Sequence, residues 1–442
     1  MGLLGIKENQ LRDTVESLLT ELFPINRSLT GDGNRKTLEI LSEILPLEIH
    51  EIPTGQEVFD WIIPKEWNVK KAYIKNRQGE KIVDFSKNNL HLVSYSEPIN
   101  KRMTFAELDL HLHTLKKYPK AIPYRTSYYK KDWGFSLQYE LYEKLDRNDE
   151  YEVVVDSTLE DGSLTYADYY IEGSSKKEYM FSTYFCHPSM ANDNLSGLIV
   201  QAFLASKLAN SIPYHSYRFV FVPETIGAIA YCYKNQELMQ NLEGGFILSN
   251  VGGPGGFSYK RSFDVDHYLN EVIEQAFKCL GIQYEIYPFD IHGSDERQYS
   301  SIGFRINMPS IHKDKYYEFD QYHTSLDNLQ FVKAENLMKT LFVYEKVIEI
   351  LESNRTYLSV KSECEVHLSE HGLYPEMSGH INQNAVGDQN LKDMDMMLWL
   401  LFLCDGNENL LEISQQTNFD IVELQKVAEK LKDHGIMVMK NE

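Results

Sequence analysis

The feature of this 442-residue sequence that most constrains its fold is an alternation of apolar strands and helices from about residue 150 to 355. Tyr217–Val222 is almost continuously apolar, which is typical of a strand covered on both faces of a sheet. Asn192–Asn210 carries apolar residues at spacings of four, three and four, which predicts a helix. Further strands are expected at Tyr151–Val155, Leu164–Ile171, Glu178–Phe185 and Gly245–Ser249, and further helices at Tyr268–Leu280 and Ala334–Leu351. The pattern predicts a layered α/β domain around a mostly parallel or mixed sheet.

The segments on either side have different textures. Residues 10–45 have the leucine spacing of two helices separated by a turn at Pro24. Residues 51–144 alternate short apolar or aromatic pieces with turns, which indicates a small β-rich domain inserted into the α/β domain. The α/β domain is therefore expected to comprise residues 1–50 and 145–360.

Residues 361–442 are expected to form a linker followed by a separate module. A hydrophobic helix at Met394–Cys404 precedes helical patterns at Leu410–Gln416 and Ile421–Lys432, and a short strand follows at Ile436–Met439. Three helices with a terminal strand predict a winged-helix domain. The linker, at about 360–390, contains Gly372, Pro375, Gly379 and Gly387.

The charge balance argues against a broad nucleic-acid surface. The chain has 44 Lys and Arg against 65 Asp and Glu, a formal charge of −21, whereas phosphate binding needs clustered basic residues. Residues 361–442 alone contain 15 acidic and six basic residues, a net charge of −9. Protein contact or dimerisation is therefore a better prediction for the winged helix than DNA reading, and a homo-oligomer is left open.

The cysteines and the apolar runs predict a soluble cytoplasmic protein without membrane partners. The five cysteines are odd in number, widely spaced and without a CxxC pair, which favours reduced thiols. Residues 1–10 lack the basic start of a secretory leader, and Ile6 does not fit a myristoylation signal. The longest apolar run, Met396–Cys404, is far shorter than a membrane span.

Polar residues follow two of the apolar strands. His187 ends one strand and Asp193 stands at the start of the next helix, while Glu224 follows Tyr217–Val222. Ligands bind at the carboxyl ends of strands in open α/β sheets, so these side chains could meet there. Each has a plainer explanation as a helix cap or a surface residue. His323 is a further candidate ligand that alone has an equally plain explanation. The polar stretch Gly293–Tyr299 either lines a substrate pocket or forms an ordinary loop.

The order of these pieces is more specific than any one of them. The stretches HPSMANDNLSG, PETIG, GSDERQY and YHTSLDN follow one another between residues 187 and 328. This order resembles the zinc aminopeptidase superfamily, which has a phosphorylase/hydrolase-like, three-layer α/β/α fold. The resemblance covers about residues 150–355 and the N-terminal helices. The whole chain resembles bacterial aminopeptidase-like proteins of polysaccharide-biosynthesis loci, which have a small inserted domain and a C-terminal winged helix.

The resemblance implies roles for individual residues. His187, Asp193 and His323 match metal ligands, and Glu224 matches the general base that activates water. Asn250, Asp295, Arg297 and Tyr322 are further candidates for substrate binding.

Two departures from the family pattern reduce the expected number of metals. Thr225 replaces the second glutamate of the family's pair, and Asn250 replaces a further aspartate. Two dications close together need those carboxylates. One zinc ion held by His187, Asp193 and His323 fits a three-ligand catalytic site. Glu224 would then act as the base or as a fourth ligand that silences the site.

Three hypotheses follow. The first is a single-zinc hydrolase of small peptides or amides, with a sugar-linked amide suggested by the polysaccharide loci. The second is a catalytically degenerate fold that serves as a binding or assembly module. The third is a regulator that binds DNA through its winged helix, which the charge opposes.

Two other features have ordinary explanations. His111 and His113 form an HxH pair without a nearby acidic motif, and we interpret them as structural. Tyr124–Trp133 is basic and aromatic, and we interpret it as a loop that covers the cleft.

Overall fold

The computed structural model of the chain describes residues 8–373 and 389–440. The expectation drawn from residues 1–6 and the linker residues Pro375, Gly379 and Gly387 lie outside the described residues. The chain divides into two compact units. The first contains the residues up to Asn270 together with Ile282–Phe342, and the second contains Glu271–Gly281 together with the residues from Val343 onward.

Helices and strands have the following bounds in the described residues. The strands are β1 Glu48–Pro53, β2 Glu57–Val58, β3 Trp61–Ile62, β4 Glu66–Lys75, β5 Lys81–Asp84, β6 Ile99–Thr104, β7 Leu112–His113, β8 Phe135–Ser136, β9 Glu150–Glu160, β10 Ser163–Ile171, β11 Glu178–Tyr184, β12 Ser216–Val222, β13 Gly244–Leu248, β14 Phe257–Lys260, β15 Tyr284–Tyr287, β16 Ser310–Lys313, β17 Thr356–Ser359, β18 Asp405–Asn409 and β19 Met437–Met439. The helices are α1 Glu8–Leu22, α2 Asp32–Ser42, α3 Phe105–Asp109, α4 Tyr139–Tyr142, α5 Gly197–Leu208, α6 Ile226–Lys234, α7 Gln236–Asn241, α8 Tyr268–Cys279, α9 Glu296–Tyr299, α10 Ala334–Ser353, α11 Gln389–Leu403, α12 Leu410–Thr417 and α13 Ile421–Asp433.

The first unit is built on a mixed eight-stranded sheet. Its strand order is β1-β10-β12-β11-β13-β16-β14-β15. The central strands β12, β11, β13 and β16 are parallel, whereas β10 and β14 pair antiparallel with their neighbours β12 and β16. From β11 the chain passes through α5 to β12, which lies on one side of β11. It then passes through α6 and α7 to β13, which lies on the other side of β11. The carboxyl end of β11 is therefore a topological switch point, where ligands bind in such sheets.

Helix α5 forms the layer over the central strands. Its residues Gly197–Ser206 are all buried, as expected for a helix that is apolar on every side. The helix is shorter than the predicted Asn192–Asn210, because residues 191–196 form an irregular turn with non-helical backbone angles at Asp193 and Asn194. The hydrophobic periodicity predicted the helix correctly but placed its first residue too early.

Residues 51–144 contribute most of a second, four-stranded antiparallel sheet in the order β5-β4-β9-β6. A turn at Asn76–Gly79 joins β4 to β5, and the Gly79 N–H donates to the Asn76 carbonyl at 3.0 Å. Strand β9, at Glu150–Glu160, lies in this sheet rather than in the eight-stranded one. The domain boundaries themselves stay a prediction.

The second unit contains the predicted C-terminal helices α11, α12 and α13. Its three-stranded sheet, in the order β18-β17-β19, includes two strands that the sequence analysis did not predict, β17 and β18. Helix α12 begins with a capping box, because the Asn409 side chain accepts two backbone N–H bonds and Glu412 bonds back to the Asn409 N–H. Within the described parts of the chain, no helix combines the length and the apolar character needed to cross a membrane.

Candidate metal centre

Three parallel strands end at the same edge of the eight-stranded sheet. His187 lies three residues beyond β11, Glu224 two residues beyond β12 and Asn250 two residues beyond β13. Because β11 is the switch strand, a crevice opens between the connections that leave its carboxyl end. The sheet topology alone therefore explains why residues so far apart in sequence meet.

The three predicted metal ligands lie together at this edge. The ligand atoms of His187, Asp193 and His323 are all within 4.8 Å of one another. His323 Nε2 is 3.0 Å from Asp193 Oδ2. Asp193 lies in the irregular turn before α5, where its backbone is non-helical (φ −112°, ψ 84°). Two imidazoles and a carboxylate form a nitrogen and oxygen donor set that suits zinc.

Asp193 is fully buried and has one partnered oxygen. The Tyr184 hydroxyl donates to Oδ1, and burial raises the pKa of Tyr184, so this phenol remains a donor. Asp193 Oδ2 lies 3.0 Å from His323 Nε2, but this ion-pair contact lacks hydrogen-bond geometry, and no other described group donates to that oxygen. Burial alone would raise the pKa of Asp193, but His187, His323 and the Tyr184 hydroxyl hold it at about 2. The carboxylate is therefore ionised at neutral pH.

His187 is buried beside Glu224. Its Nε2 lies 3.7 Å from Glu224 Oε2, and its Nδ1 lies 3.6 Å from the Cys186 thiol. Burial lowers the pKa of His187 to about 4. The ring is therefore neutral near pH 7, as a metal-ligating histidine must be.

Glu224 lies in the wall of the cavity with 27% of its side chain exposed. Desolvation raises its pKa well above the ordinary value, and the charges of Asp295 and Asp193 raise it further. Its backbone N–H donates to the Cys186 sulfur at 3.2 Å. A raised pKa makes a carboxylate a stronger proton acceptor than an ordinary glutamate, which suits a general base.

Thr225 and Asn250 stand where the family pattern has carboxylates. Thr225 has a left-handed backbone (φ 64°), and its N–H donates to Asp295 Oδ1 at 2.7 Å. Asn250 is buried, also with positive φ (55°), and its side-chain amide donates to the Ser249 hydroxyl at 2.7 Å. Both side chains are neutral, so neither adds negative charge for a second cation.

Asp295, Arg297 and Tyr322 surround this centre in different ways. Asp295 is buried, and burial raises its pKa to about 7, while its Oδ2 has no hydrogen-bond partner in the described residues. Arg297 is half-buried on α9, and its charge partly offsets the rises in pKa of Asp295 and Glu224. The Tyr322 ring stacks on His323, with centroids 4.0 Å apart and planes 13° apart, so it orients that imidazole.

Asp327 is a site residue to which the sequence analysis gave no role. It is fully buried, and its carboxylate accepts the backbone N–H groups of Asn192 at 2.6 Å and Asp193 at 2.9 Å. Its backbone carbonyl accepts the Ala191 N–H at 3.1 Å. Asp327 thus holds the turn that presents Asp193. The sequence signal for Asp327 is its place in the YHTSLDN stretch, but an ordinary turn or cap residue at that position gives the same pattern.

A cavity of about 330 Å³ opens beside His187, Glu224 and His323. Its other lining residues are mostly aromatic or apolar: Leu29, Trp61, Tyr124, Thr126, Tyr128, Tyr129, Cys186, Thr225 and Ile226. The Tyr124 ring packs 5.2 Å from the His187 ring and 5.3 Å from the His323 ring, measured between centroids. The Tyr-rich segment predicted to cover the cleft therefore lines it.

Two other histidine groups lie outside this centre and have protein partners. His111 stacks on Trp133 with centroids 3.8 Å apart, and its Nδ1 lies 2.9 Å from the Trp133 carbonyl. His50 Nε2 lies 3.0 Å from Asp168 Oδ1, near Glu48, but Arg218 already pairs with the same carboxylate at 3.3 Å. Neither group resembles the buried centre at the strand ends.

Comparison with known proteins matches two consecutive segments of the chain to family models. Residues 16–354 match a family model described as Domain of unknown function (DUF4910), and residues 355–439 match a winged helix-turn-helix model. A Clostridium acetobutylicum protein is 43% identical over 417 residues, covering 94% of each chain. Its name provisionally assigns it to polysaccharide biosynthesis and gives it an aminopeptidase-like domain.

Solved structures agree with the sequence matches. A C. acetobutylicum crystal structure, described provisionally as a peptidase, has a TM-score of 0.89 at 41% identity and covers 98% of each chain. A zinc aminopeptidase from Bacillus subtilis has a TM-score of 0.58 at 14% identity, covering 78% of this chain and 95% of that one. The second likeness concerns the fold alone. The predicted aminopeptidase-like α/β fold with a C-terminal winged helix is confirmed.

Proposed function

The chain belongs to the DUF4910 family of aminopeptidase-like proteins, and on that premise we propose that it is a zinc-dependent hydrolase of amide or peptide bonds. The observation that carries the proposal is the meeting of His187, Asp193 and His323 within 4.8 Å of one another. Glu224 stands beside them at 3.7 Å from His187. These residues have the types and the order of the family's metal ligands and base.

The residues present fit a zinc ion. Asp193 Oδ2 is a buried anionic oxygen that faces His323 Nε2 at 3.0 Å without a well-formed hydrogen bond in the described residues, and a cation between them would satisfy it. The imidazoles of His187 and His323 complete a three-ligand set of the catalytic type. We propose one ion, because Thr225 and Asn250 leave out the carboxylates that a second cation would need.

The chain's own residues would handle the protons of the reaction. Zinc, when bound, lowers the pKa of water and polarises a carbonyl group. Glu224 would take a proton from the attacking water and deliver it to the leaving nitrogen, which its raised pKa favours. Tyr322 and Asp327 would hold His323 and Asp193 in place, as partners of metal ligands commonly do.

The cavity favours a small substrate with an uncharged ring. Its aromatic walls provide apolar contact, and Trp61 and Tyr129 keep 39% and 53% of their surface exposed. Exposed aromatic faces stack on flat rings and on the apolar faces of sugars. Together with the name of the C. acetobutylicum relative, this supports a sugar-linked amide and a role in polysaccharide metabolism. Asn250, Asp295, Arg297 and Tyr322 do not line this cavity, so we propose that they act on the substrate through the residues that do.

A substrate screen on zinc-loaded protein tests the proposal. Small peptides, amino-acid amides and N-acyl amino sugars would be supplied, and release of amine measured. We expect turnover that Glu224→Gln reduces by about 10²–10⁴-fold with zinc content unchanged. The matched control is Glu237→Gln, an exposed glutamate on α7, which should retain full activity.

The second candidate function is a catalytically degenerate binding module. Thr225 and Asn250 favour it, because each removes a carboxylate that the family pattern places at the metals. If the wild type and Glu224→Gln both bind zinc and neither turns over any compound in the screen, the hydrolase proposal is contradicted. That result would support the binding module.

A further inference from the structure

The outer face of helix α11, in the second unit, carries an unusual run of exposed apolar side chains. Leu398, Trp399 and Phe402 keep 41%, 43% and 80% of their surface exposed. They lie three and four positions apart, so they share one face of the helix. The opposite face, including Met396, Met397 and Leu400, is buried in the unit. Exposed apolar residues are ordinarily scattered, and a contiguous stripe indicates an interaction surface.

The stripe borders a preformed groove. A cavity of about 790 Å³ separates this face of α11 from residues 361–366. The Trp399 and Phe402 rings pack edge to face, with centroids 6.3 Å apart. Large aromatic side chains that are already held in place lose little freedom on association, and such residues dominate binding energy at interfaces.

Nucleic acid is a poor occupant for this unit. Residues 361–442 carry a net charge of −9. Several cations around α13 are paired with acids: Lys392 contacts Glu423, and Lys432 and Arg355 both contact Glu429. Helix α13, which follows the turn of the helix-turn-helix, has three acidic and three basic residues, so it offers a duplex no excess of positive charge. A protein surface is the better partner for an apolar stripe.

Asp395 and Lys361, two of the three charged groups that line the groove, have opposite signs. Asp395 lies seven residues before Phe402 on the same face, about 10 Å along the helix. Lys361 lies near the other end, because the Ser359 N–H donates to the carbonyl of Cys404 just past α11 at 2.8 Å. Glu365, on the same segment as Lys361, is the third charged group of the groove. Among the described residues, neither Asp395 nor Lys361 has an ion-pair partner.

We propose that this face of α11 joins two copies of the chain across a two-fold axis. A two-fold axis through the stripe sets the two α11 helices antiparallel, so that each Phe402 meets the partner's stripe. The same operation brings Asp395 of one copy to Lys361 of the other, twice. Opposite charges at the two ends of an apolar strip allow an isologous contact to pair each charge with its opposite on the other copy. The inference is independent of catalysis, because it concerns only the second unit.

Sedimentation of the full chain over a range of about 1–200 µM tests the proposal, since weak specific interfaces dissociate at micromolar concentrations. We expect a concentration-dependent dimer. Phe402→Glu should raise the dissociation constant by about 30-fold or more, the effect of losing a hot-spot residue. The matched control is Ile212→Glu, because Ile212 is 91% exposed but lies in the first unit; it should leave the dimer unchanged.

A charge exchange tests the two-fold pairing itself. Asp395→Lys and Lys361→Glu should each raise the dissociation constant about tenfold, because each brings like charges together. The double variant should return it close to the wild-type value. All these residues are exposed, so folding should be unaffected. The proposal would be overturned by any of three results. The wild type could stay monomeric over the whole concentration range, Phe402→Glu could leave the dissociation constant unchanged, or the double variant could dimerise as weakly as the single variants.

Discussion

The turn that presents Asp193 depends on a carboxylate 134 residues away along the chain. Asp327→Ala removes the acceptor of two buried backbone N–H groups, those of Asn192 at 2.6 Å and Asp193 at 2.9 Å. A buried donor left without a partner costs about 1–3 kcal/mol. The two together predict a loss of about 4 kcal/mol in the free energy of unfolding. Asp327→Asn keeps one carbonyl oxygen, so about half that loss is expected.

Guanidinium unfolding followed by tryptophan fluorescence measures this effect. In a Trp399→Phe background, the remaining tryptophans all lie in the first unit and report on it alone. Asp320→Ala is the matched control: that side chain is 73% exposed on a nearby loop, and its loss should cost less than about 1 kcal/mol. If the free energy of unfolding of Asp327→Ala is within about 1 kcal/mol of the wild-type value, the carboxylate does not hold the turn.

Three further predictions concern other parts of the molecule. The hydrogen bonds from Arg35 lower the pKa of Glu66, so their stabilisation is present above pH 4.5 and is lost as the pH falls through the lowered value. Glu66→Gln should therefore unfold about 2 kcal/mol more easily than wild type at pH 7, with the difference vanishing in acid urea melts. The double variant Thr225→Glu, Asn250→Asp should raise bound zinc above the wild-type content in equilibrium dialysis; an unchanged content would mean that other features limit the site. Asn409→Ala removes the acceptor of two N–H groups at the start of α12 and should cost the second unit about 1 kcal/mol, read from the Trp399 fluorescence transition.

Much of the fold was predictable because its central elements are strongly patterned. Tyr217–Val222 and Glu178–Phe185 were expected as strands and lie in the middle of the eight-stranded sheet. Strand β18, with the sequence DGNEN, has little intrinsic preference for a strand. It forms through pairing with β17, nearly fifty residues earlier, which a local pattern does not reveal.

The candidate site was predictable from the order of short motifs rather than from any single one. His187, Asp193, Glu224 and His323 were named from the sequence, and the structure brings them together at one strand edge. The role of Asp327 was not foreseeable, because its partners are backbone groups of a distant turn. The start of α5 was misjudged for the same reason: tertiary hydrogen bonds, not periodicity, fix residues 191–196.

The most direct test of the account is the zinc content of the purified full chain, measured by mass spectrometry after supply of zinc and removal of the excess. We predict about one zinc per chain, the content of a three-ligand site. His187→Ala, His323→Ala should lose it. The matched control His111→Ala, His113→Ala, which removes a histidine pair outside the centre, should retain it. Wild-type protein that binds no zinc, or a His187→Ala, His323→Ala variant that keeps it, would contradict the account.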